Sequence, residues 1–232
     1  PTFPGEREIV MTLSTAAGEY SIAGNAIDGN YSVTFNGTHG ERAIYTVSPA
    51  KMTDAAFDPY DGTYDGQTHT ALAAAPTITT VNEMKATWYF RVSGGDWTEG
   101  YANVEFRDAG SYTVYYYVKA DNHELYGSDS TDDGAEGLLS FTVTIDKFAL
   151  TVSADGETVY GEAFGEGDYT VTYNGSAAFP NGDTAAEQGV EFSVTSDYKQ
   201  SDNVAVYTIT LSGVNETKNY VITYESGKLN VI

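Results

Sequence analysis

Short stretches in which hydrophobic and polar residues alternate recur along this chain, and they predict β-strands. Successive side chains of a strand point to opposite faces of a sheet, so alternation places one set in a core and the other towards solvent. These stretches are also rich in the β-branched and aromatic residues that favour strands. The clearest are 86–93, 111–118, 139–145 and 207–211. Gly, Asn and Asp separate the strands at the spacing typical of an all-β sandwich, and no stretch predicts a stable helix.

Two markers recur in step along the sequence and indicate an internal repeat. The first is a tyrosine that opens an alternating stretch, at spacings of 92 and 95 residues. These tyrosines are Tyr20, Tyr112 and Tyr207. The second is an asparagine followed by a ring-bearing residue, 10, 10 and 12 residues further on. These pairs are Asn30-Tyr31, Asn122-His123 and Asn219-Tyr220. A fixed period of this length is the signature of repeated structural units.

Lysines mark the starts of the units. Lys51 and Lys147 lie 96 residues apart, and each precedes a tyrosine, Tyr64 or Tyr160, by 13 residues. The first residues of the chain match only the second half of a unit. We therefore expect a partial unit at 1–50, a complete immunoglobulin-like sandwich at 51–146 and a further sandwich at 147–232.

The tyrosine marker indicates the kind of sandwich. Residues 108–114 read Asp-Ala-Gly-Ser-Tyr-Thr-Val, which has the D-x-G-x-Y-x-C form of an immunoglobulin strand F with Val114 in place of the cysteine. In that fold the tyrosine hydroxyl bonds back to the backbone at a corner, and a preceding tryptophan fills the core. We therefore predict structural roles for Tyr20, Tyr112, Tyr207 and Trp88. The corner at Tyr207 is expected to be less regular, because no glycine precedes it.

Several motifs, taken in order, resemble the MBG-type repeats of large bacterial surface proteins and the bacterial Ig-like modules that alternate with them. The motifs are 64–69, 108–114, 143–152, 160–162 and 219–227. The resemblance covers nearly the whole chain. It implies an all-β fold of tandem immunoglobulin-like β-sandwiches, joined end to end by short linkers. It also implies an extracellular location, at the bacterial cell surface or cell wall, with signal peptide and anchor outside this segment. The implied role is that of an extended stalk or adhesin repeat.

Charge narrows the range of partners. The 232 residues include 11 Lys+Arg and 33 Asp+Glu, a net charge of −22. Binding to nucleic acid or to an anionic membrane surface relies on clustered basic residues, so we expect no nucleic-acid partner and no direct membrane contact. An aromatic content of 13% argues against an acidic disordered segment. Like-charged units repel one another, which favours a monomeric rod with a solvating acidic coat.

No catalytic motif is recognisable in the sequence. Cysteine is absent, so disulfides and thiol nucleophiles are excluded. The three histidines, His39, His69 and His123, stand in separate polar contexts, and no G-x-S-x-G, P-loop or H-E-x-x-H motif occurs. We expect a non-enzymatic segment without a cofactor. A non-catalytic accessory module of a secreted hydrolase is the alternative within the same expectation.

An acidic insertion at 129–136 is a weak candidate for a metal site. Its carboxylates Asp129, Asp132 and Asp133 share one loop, and Ca²⁺ prefers such oxygen ligands. The order of residues in an EF-hand is not met, so a solvated acidic loop is the favoured interpretation.

The run of three tyrosines at 115–117 suggests a ligand platform. Neighbouring strand residues face opposite sides, so some of these rings lie on an outer face unless that face is covered. Tyr115 and Tyr116 are the candidates for contact with a glycan or protein on a host or neighbouring cell. Packing of the same rings inside the protein is the alternative.

A covalent staple is a further hypothesis for a chain without cysteine. Lys147 and Asn230 lie near the two ends of the last unit, where a Lys–Asn isopeptide bond would join its first and last strands.

Overall fold

The computed structural model describes residues 18–22, 34–35, 38–39 and 43–232, with side chains from residue 48 onward. The fold is all-β, as the sequence predicts, with 48% of the described residues in strands and 6% in helical turns. The first four strands form two antiparallel pairs. They are β1 (Gly18–Ile22) with β4 (Ala43–Val47), and β2 (Thr34–Phe35) with β3 (Thr38–His39).

Residues 51–146, the middle unit, are built around a five-stranded sheet. The strands of this unit are β5 (Thr53–Ala56), β6 (Asp61–Thr63), β7 (His69–Thr70), β8 (Thr77–Thr79), β9 (Ala86–Val92), β10 (Thr98–Glu99), β11 (Glu105–Phe106), β12 (Gly110–Ala120) and β13 (Leu139–Asp146). The sheet has the order β10-β9-β12-β13-β6, antiparallel except for the parallel pair of β6 and β13. Two small antiparallel pairs, β5 with β8 and β7 with β11, complete the unit.

Residues 147–232, the C-terminal unit, form a six-stranded sheet. Its strands are β14 (Phe148–Thr158), β15 (Tyr169–Tyr173), β16 (Phe192–Ser196), β17 (Val206–Gly213), β18 (Tyr220–Tyr224) and β19 (Gly227–Val231). The order is β15-β14-β19-β17-β16, and β18 pairs with β14. The first half of β14 runs parallel to β18 and its last residues run parallel to β19. Among the residues that the structure describes, helical structure is limited to short 3₁₀ turns at Val81–Glu83, Tyr101–Asn103, Glu166–Asp168 and Pro180–Gly182. Within the described ranges, no helix is long and apolar enough to cross a bilayer.

One face of the β9–β12 pair carries the aromatic core of the middle unit. Trp88 from β9 and Tyr116 from β12 are 8% and 7% exposed, and their rings stack with centroids 5.8 Å apart. Phe57 packs edge-on against both rings, and Phe141 lies 5.0 Å from Phe57. Trp88 is thus buried in the core of the middle unit. Tyr116 presents no free surface, because the opposite layer covers it.

Two of the three marker tyrosines have described side chains, and both close a corner. The Tyr112 hydroxyl donates to the Asp108 carbonyl and the Tyr207 hydroxyl to the Asn203 carbonyl, each at 2.8 Å and four residues upstream. The missing glycine before Tyr207 does not change this bond. Tyr20 pairs with Tyr45 between β1 and β4, but its side chain lies outside the described residues.

A single residue, Lys147, separates β13 from β14. Its ammonium donates to the Glu216 carboxylate at 2.5 Å and to the Thr217 carbonyl at 2.7 Å. Asn230 lies opposite Glu157 in β14. Glu157 is ten residues beyond Lys147 along the same extended segment, so Lys147 and Asn230 are about 30 Å apart at the usual rise per residue. The strand register therefore contradicts the Lys147–Asn230 isopeptide hypothesis.

Candidate functional site

A polar cluster with a buried centre connects the middle unit to the C-terminal unit, and we call it the joint. Its members come from loops and strand ends on both sides. They are Tyr64, Arg107, Asp108 and Ala109 of the middle unit and Asp183, Gln188, Lys218, Asn219 and Tyr220 of the C-terminal unit.

Strand pairing brings the members from the middle unit to one end of it. Tyr64 follows β6, and its amide donates to the Asp146 carbonyl at 2.8 Å, which extends the parallel pairing with β13. Asp108 and Ala109 immediately precede β12, where the Tyr112 corner fixes the backbone. The corner and the joint are therefore built from the same short motif.

The Asp183 carboxylate is the centre of the joint. Its side chain is 5% exposed. One oxygen, Oδ2, accepts hydrogen bonds from the Tyr64 hydroxyl at 2.8 Å and the Tyr220 hydroxyl at 2.7 Å. The other lies 3.5 Å from the Arg107 guanidinium. Donors from both units thus compensate a buried charge that would otherwise be costly.

The same arrangement raises the pKa of the two phenols, Tyr64 and Tyr220. Burial, followed by the hydrogen bond to Asp183, raises the pKa of Tyr64 to about 12. The same two causes raise the pKa of Tyr220 still further above its ordinary value. Both hydroxyls therefore remain protonated donors at neutral pH, as their role towards Asp183 requires.

Both the oxygen and the nitrogen of the Asn219 side-chain amide form hydrogen bonds within the joint. The residue is 3% exposed. Its Oδ1 accepts from the Ala109 amide at 2.8 Å, and its Nδ2 donates to Gln188 Oε1 at 3.0 Å and to Asp108 Oδ1 at 3.2 Å. The Lys218 ammonium bonds the other Asp108 oxygen. The bonds from Lys218 and Asn219 hold the pKa of the Asp108 carboxyl below its usual range.

Aromatic rings seal the polar cluster. Tyr64 and Tyr220 are 1% and 0% exposed, and their rings meet edge to face at 5.5 Å. Phe148 and Phe179 pack against the Tyr220 ring at 5.8 and 5.3 Å. The joint thus combines charge-assisted hydrogen bonds with apolar packing. Its groups supply no nucleophile activated by a base; what they can do is to hold two units in one relative orientation.

Sequence patterns identified some members of the joint but not its centre. Asn219 was visible as a repeat marker, and Asp108 belongs to the corner motif, although neither pattern indicated a contact between units. Asp183 had no signal, because it lies in an irregular segment and its partners are 37 to 119 residues away.

The acidic insertion is bound to the outer face of the middle sheet. Asp133 accepts hydrogen bonds from the Arg91 guanidinium and from Ser93, the latter at 2.5 Å. Asp129 accepts the Trp97 indole N–H through its carbonyl at 2.9 Å, and its carboxylate lies 3.5 Å from Lys119. Asp132 caps the backbone of Gly134 at 3.0 Å.

The three carboxylates are therefore directed to three separate partners. Ser93 and Arg91 hold the pKa of Asp133 below its usual value. In the part of the chain that the structure describes, no group of three or more Asp, Glu or His side chains is arranged to bind a metal ion.

Arg91 explains why the insertion folds back. Its side chain is fully buried, with the guanidinium 5.0 Å from the Trp97 ring and 4.4 Å from the Tyr115 ring. Cation–π contacts and Asp133 compensate its charge. Tyr115 is half-buried and covered in part by Arg91, whereas Tyr116 lies in the core.

An open groove of about 530 Å³ lies further along this outer face. It is lined by Lys85, Thr87, Tyr89, Lys119, Ala120, Asp121, His123 and Leu125. Tyr89 stacks on Tyr117 at 4.7 Å, and the Lys119 ammonium lies over both rings. Both ring nitrogens of His123 are engaged, Nε2 with the Val81 amide and Nδ1 with the Asp121 carbonyl.

The comparisons with known proteins identify the C-terminal unit. Residues 150–230 match the family model of the MBG domain (YGX type). The match includes Tyr160-Gly161-Glu162 and all five joint members of that unit. No curated protein matches the chain. The MBG family is a repeat-type, non-catalytic family, which indicates a surface-protein repeat module.

Proposed function

We propose that this chain, whose C-terminal unit is an MBG domain, is a structural and interaction segment of a bacterial cell-surface protein and acts as an extended, monomeric stalk. The observation that carries this proposal is the joint. A stalk holds the region that it carries at a fixed position only if its units resist bending relative to each other. The joint resists bending in two ways.

First, the connection is short. Lys147 alone lies between β13 and β14, and its side chain is tied to Glu216 and Thr217. Second, bending would separate the Asp183 carboxylate from the Tyr64 hydroxyl and the Arg107 guanidinium, and the loss of such partners from a buried carboxylate costs several kcal/mol in typical proteins. The preferred state is therefore one fixed orientation.

The acidic composition supports the same function. A net charge of −22 makes neighbouring molecules repel each other, which keeps individual stalks separate and solvated. The bacterial surface location and the absence of a catalytic role belong to this proposal.

The test measures the distance between the two units. Because the chain has no cysteine, Thr113→Cys in β12 and Thr210→Cys in β17 introduce two unique, exposed spin-label sites. We expect a single narrow distance distribution by double electron–electron resonance. Asp183→Ala, in the same labelled background, should broaden it.

Asn230→Ala provides the control, since this residue is exposed and lies outside the joint. A broad distribution in the unaltered joint would overturn the stalk proposal. An equally narrow one in the Asp183→Ala variant would show that the joint does not set the orientation.

A second candidate function, binding of an acidic glycan by the middle unit, is favoured by the groove beside Tyr89. Two lysines, Lys85 and Lys119, stand in one groove of a protein with only 11 basic Lys and Arg residues, next to an aromatic ring on which a sugar could stack. We expect binding of carboxylated glycans on an array, lost in Lys119→Ala and retained in Lys228→Ala. A flat array with the unaltered chain would leave only the stalk function.

A further inference from the structure

We infer that the end of the C-terminal unit at which β14 finishes is a docking surface for a further β-sandwich unit of the same repeat type, one that carries a basic side chain where the C-terminal unit carries Asp183. We call this end the tip and define it by Val159, Tyr160, Asp202, Val204 and Ile232. The inference rests on the proposed stalk function and extends it to a partner.

The tip occupies the place in the C-terminal unit that the joint occupies in the middle unit. The Tyr160 amide donates to the Ile232 carbonyl at 2.8 Å, as the Tyr64 amide donates to the Asp146 carbonyl at 2.8 Å. In both units a parallel strand pair leads to this bond, β6 with β13 and the end of β14 with β19.

The two tyrosine corners extend the correspondence to the neighbouring loop. Tyr112 bonds to Asp108 and Tyr207 bonds to Asn203, each four residues upstream. Counting from these corners, Val204 stands where the middle unit has Ala109, and Asp202 where it has Arg107.

Burial differs sharply between corresponding positions. Tyr64 is 1% exposed and Tyr160 is 56% exposed, while Ala109 is 9% exposed and Val204 is 62% exposed. The difference arises because the C-terminal unit covers the middle one. Val159, 57% exposed, adds further apolar surface. Apolar side chains clustered at the end of an acidic, charged protein indicate an interaction surface, and the covered counterpart indicates what fits there.

Charge specifies the partner further. In the joint, Asp183 pairs with Arg107 and Lys218 pairs with Asp108. At the tip, Asp202 and Asn203 stand at the positions of Arg107 and Asp108. If a plain copy of the C-terminal unit docked there, the Asp183 of that copy would face the Asp202 carboxylate. Like charges brought together in a dry interface are unfavourable. The unit that docks at the tip therefore presents a basic side chain to Asp202 and apolar surface to Val204 and Tyr160. A plain copy of the C-terminal unit fits less well.

The test extends the full chain with a second copy of residues 147–232 placed directly after Ile232, so that the connection repeats the one after Asp146. One extension is unaltered and the other carries Asp183→Lys in the added copy. Val204→Cys in the original unit reports on burial of the tip through its rate of reaction with a thiol reagent. We expect the Asp183→Lys extension to slow this reaction by about tenfold or more relative to the 232-residue chain, and the unaltered extension to slow it less.

Three controls separate the possible outcomes. Thr210→Cys, an exposed position away from the tip, should react at the same rate in every chain. Circular dichroism per residue must match that of the 232-residue chain, which verifies that the added copy is folded. Ala109→Cys reports on the existing joint and should be protected throughout.

Equal reactivity of Val204→Cys with and without either folded extension would overturn the docking inference while leaving the stalk function intact. Full reactivity of Ala109→Cys would instead contradict the stalk function itself. If the unaltered copy protected the tip as well as the Asp183→Lys copy, the basic requirement would be wrong.

Discussion

At the scale of single residues, two phenols and one carboxylate make the joint sensitive to alkali. The Tyr64 hydroxyl stays protonated in the folded chain until the pH approaches about 12, because burial and the hydrogen bond to Asp183 raise its pKa. In the unfolded chain the same phenol ionises near pH 10. Between these values the unfolded chain releases a proton that the folded chain retains, so stability must fall as the pH rises.

We therefore predict that the free energy of unfolding declines from pH 10 to pH 12 by about 1 kcal/mol more in the wild type than in Tyr64→Phe. Urea unfolding followed across this pH range measures it. Tyr160→Phe, at the corresponding but 56% exposed position, should behave like the wild type. Parallel curves for the wild type and Tyr64→Phe would contradict the prediction.

At the scale of strands, the sheet of the C-terminal unit depends on a close backbone approach at Gly227. This glycine begins β19, and a β-carbon added there would lie 1.7 Å from the Ala154 carbonyl oxygen in β14. No side-chain rotation can relieve this contact, because the backbone fixes the position of a β-carbon and the carbonyl oxygen is itself a backbone atom.

Gly227→Ala should therefore destabilise the chain by about 3 kcal/mol, at the upper end of what overpacking usually costs. Thermal unfolding measures the change. Gly165→Ala is the matched control, since a β-carbon there meets nothing within 4 Å and the backbone is extended. A Gly227→Ala chain as stable as the control would show that β14 and β19 separate without penalty.

The strands are also where sequence reasoning succeeds best and where its limit is visible. The alternating stretches 86–93 and 139–145 coincide with β9 and β13 to within one residue at each end. Alternation is a local property, so it predicts a strand and the two sets of residues that share a face. It does not predict which face another element will cover. For Tyr115 and Tyr116 that choice depends on Phe57 and on the acidic insertion, both distant in sequence.

The joint shows the same limit more strongly. The repeat predicted a boundary near residue 147, and Lys147 is the residue between β13 and β14. The contacts that fix the orientation involve Asp183, whose neighbours in sequence form an irregular segment with no period. A single sequence without periodic signal cannot indicate a partner more than 100 residues away.

At the scale of the whole molecule, acid should loosen the joint before it unfolds either unit. Asp108 lies at the joint, and the bonds from Lys218 and Asn219 lower the pKa of its carboxyl. A lowered pKa contributes stability above the unfolded value of about 4, and that contribution is lost as the pH falls through the folded value. Near pH 4 repulsion between the units is weak, because the isoelectric point of the chain is about 4.1.

We therefore predict that the distance distribution between labels at Thr113→Cys and Thr210→Cys is narrow at pH 7 and broadens below about pH 4, while the β-sheet circular dichroism persists. Asp108→Asn, which cannot ionise, should give a distribution that does not change with pH in this range. Asp65 is the matched control: its pKa is also lowered, by bonds from His69 and the Gln67 amide, but those contacts lie within the middle unit. Asp65→Asn should keep the acid response, and if it abolished the response instead, the pH dependence would belong to the middle unit and not to the joint.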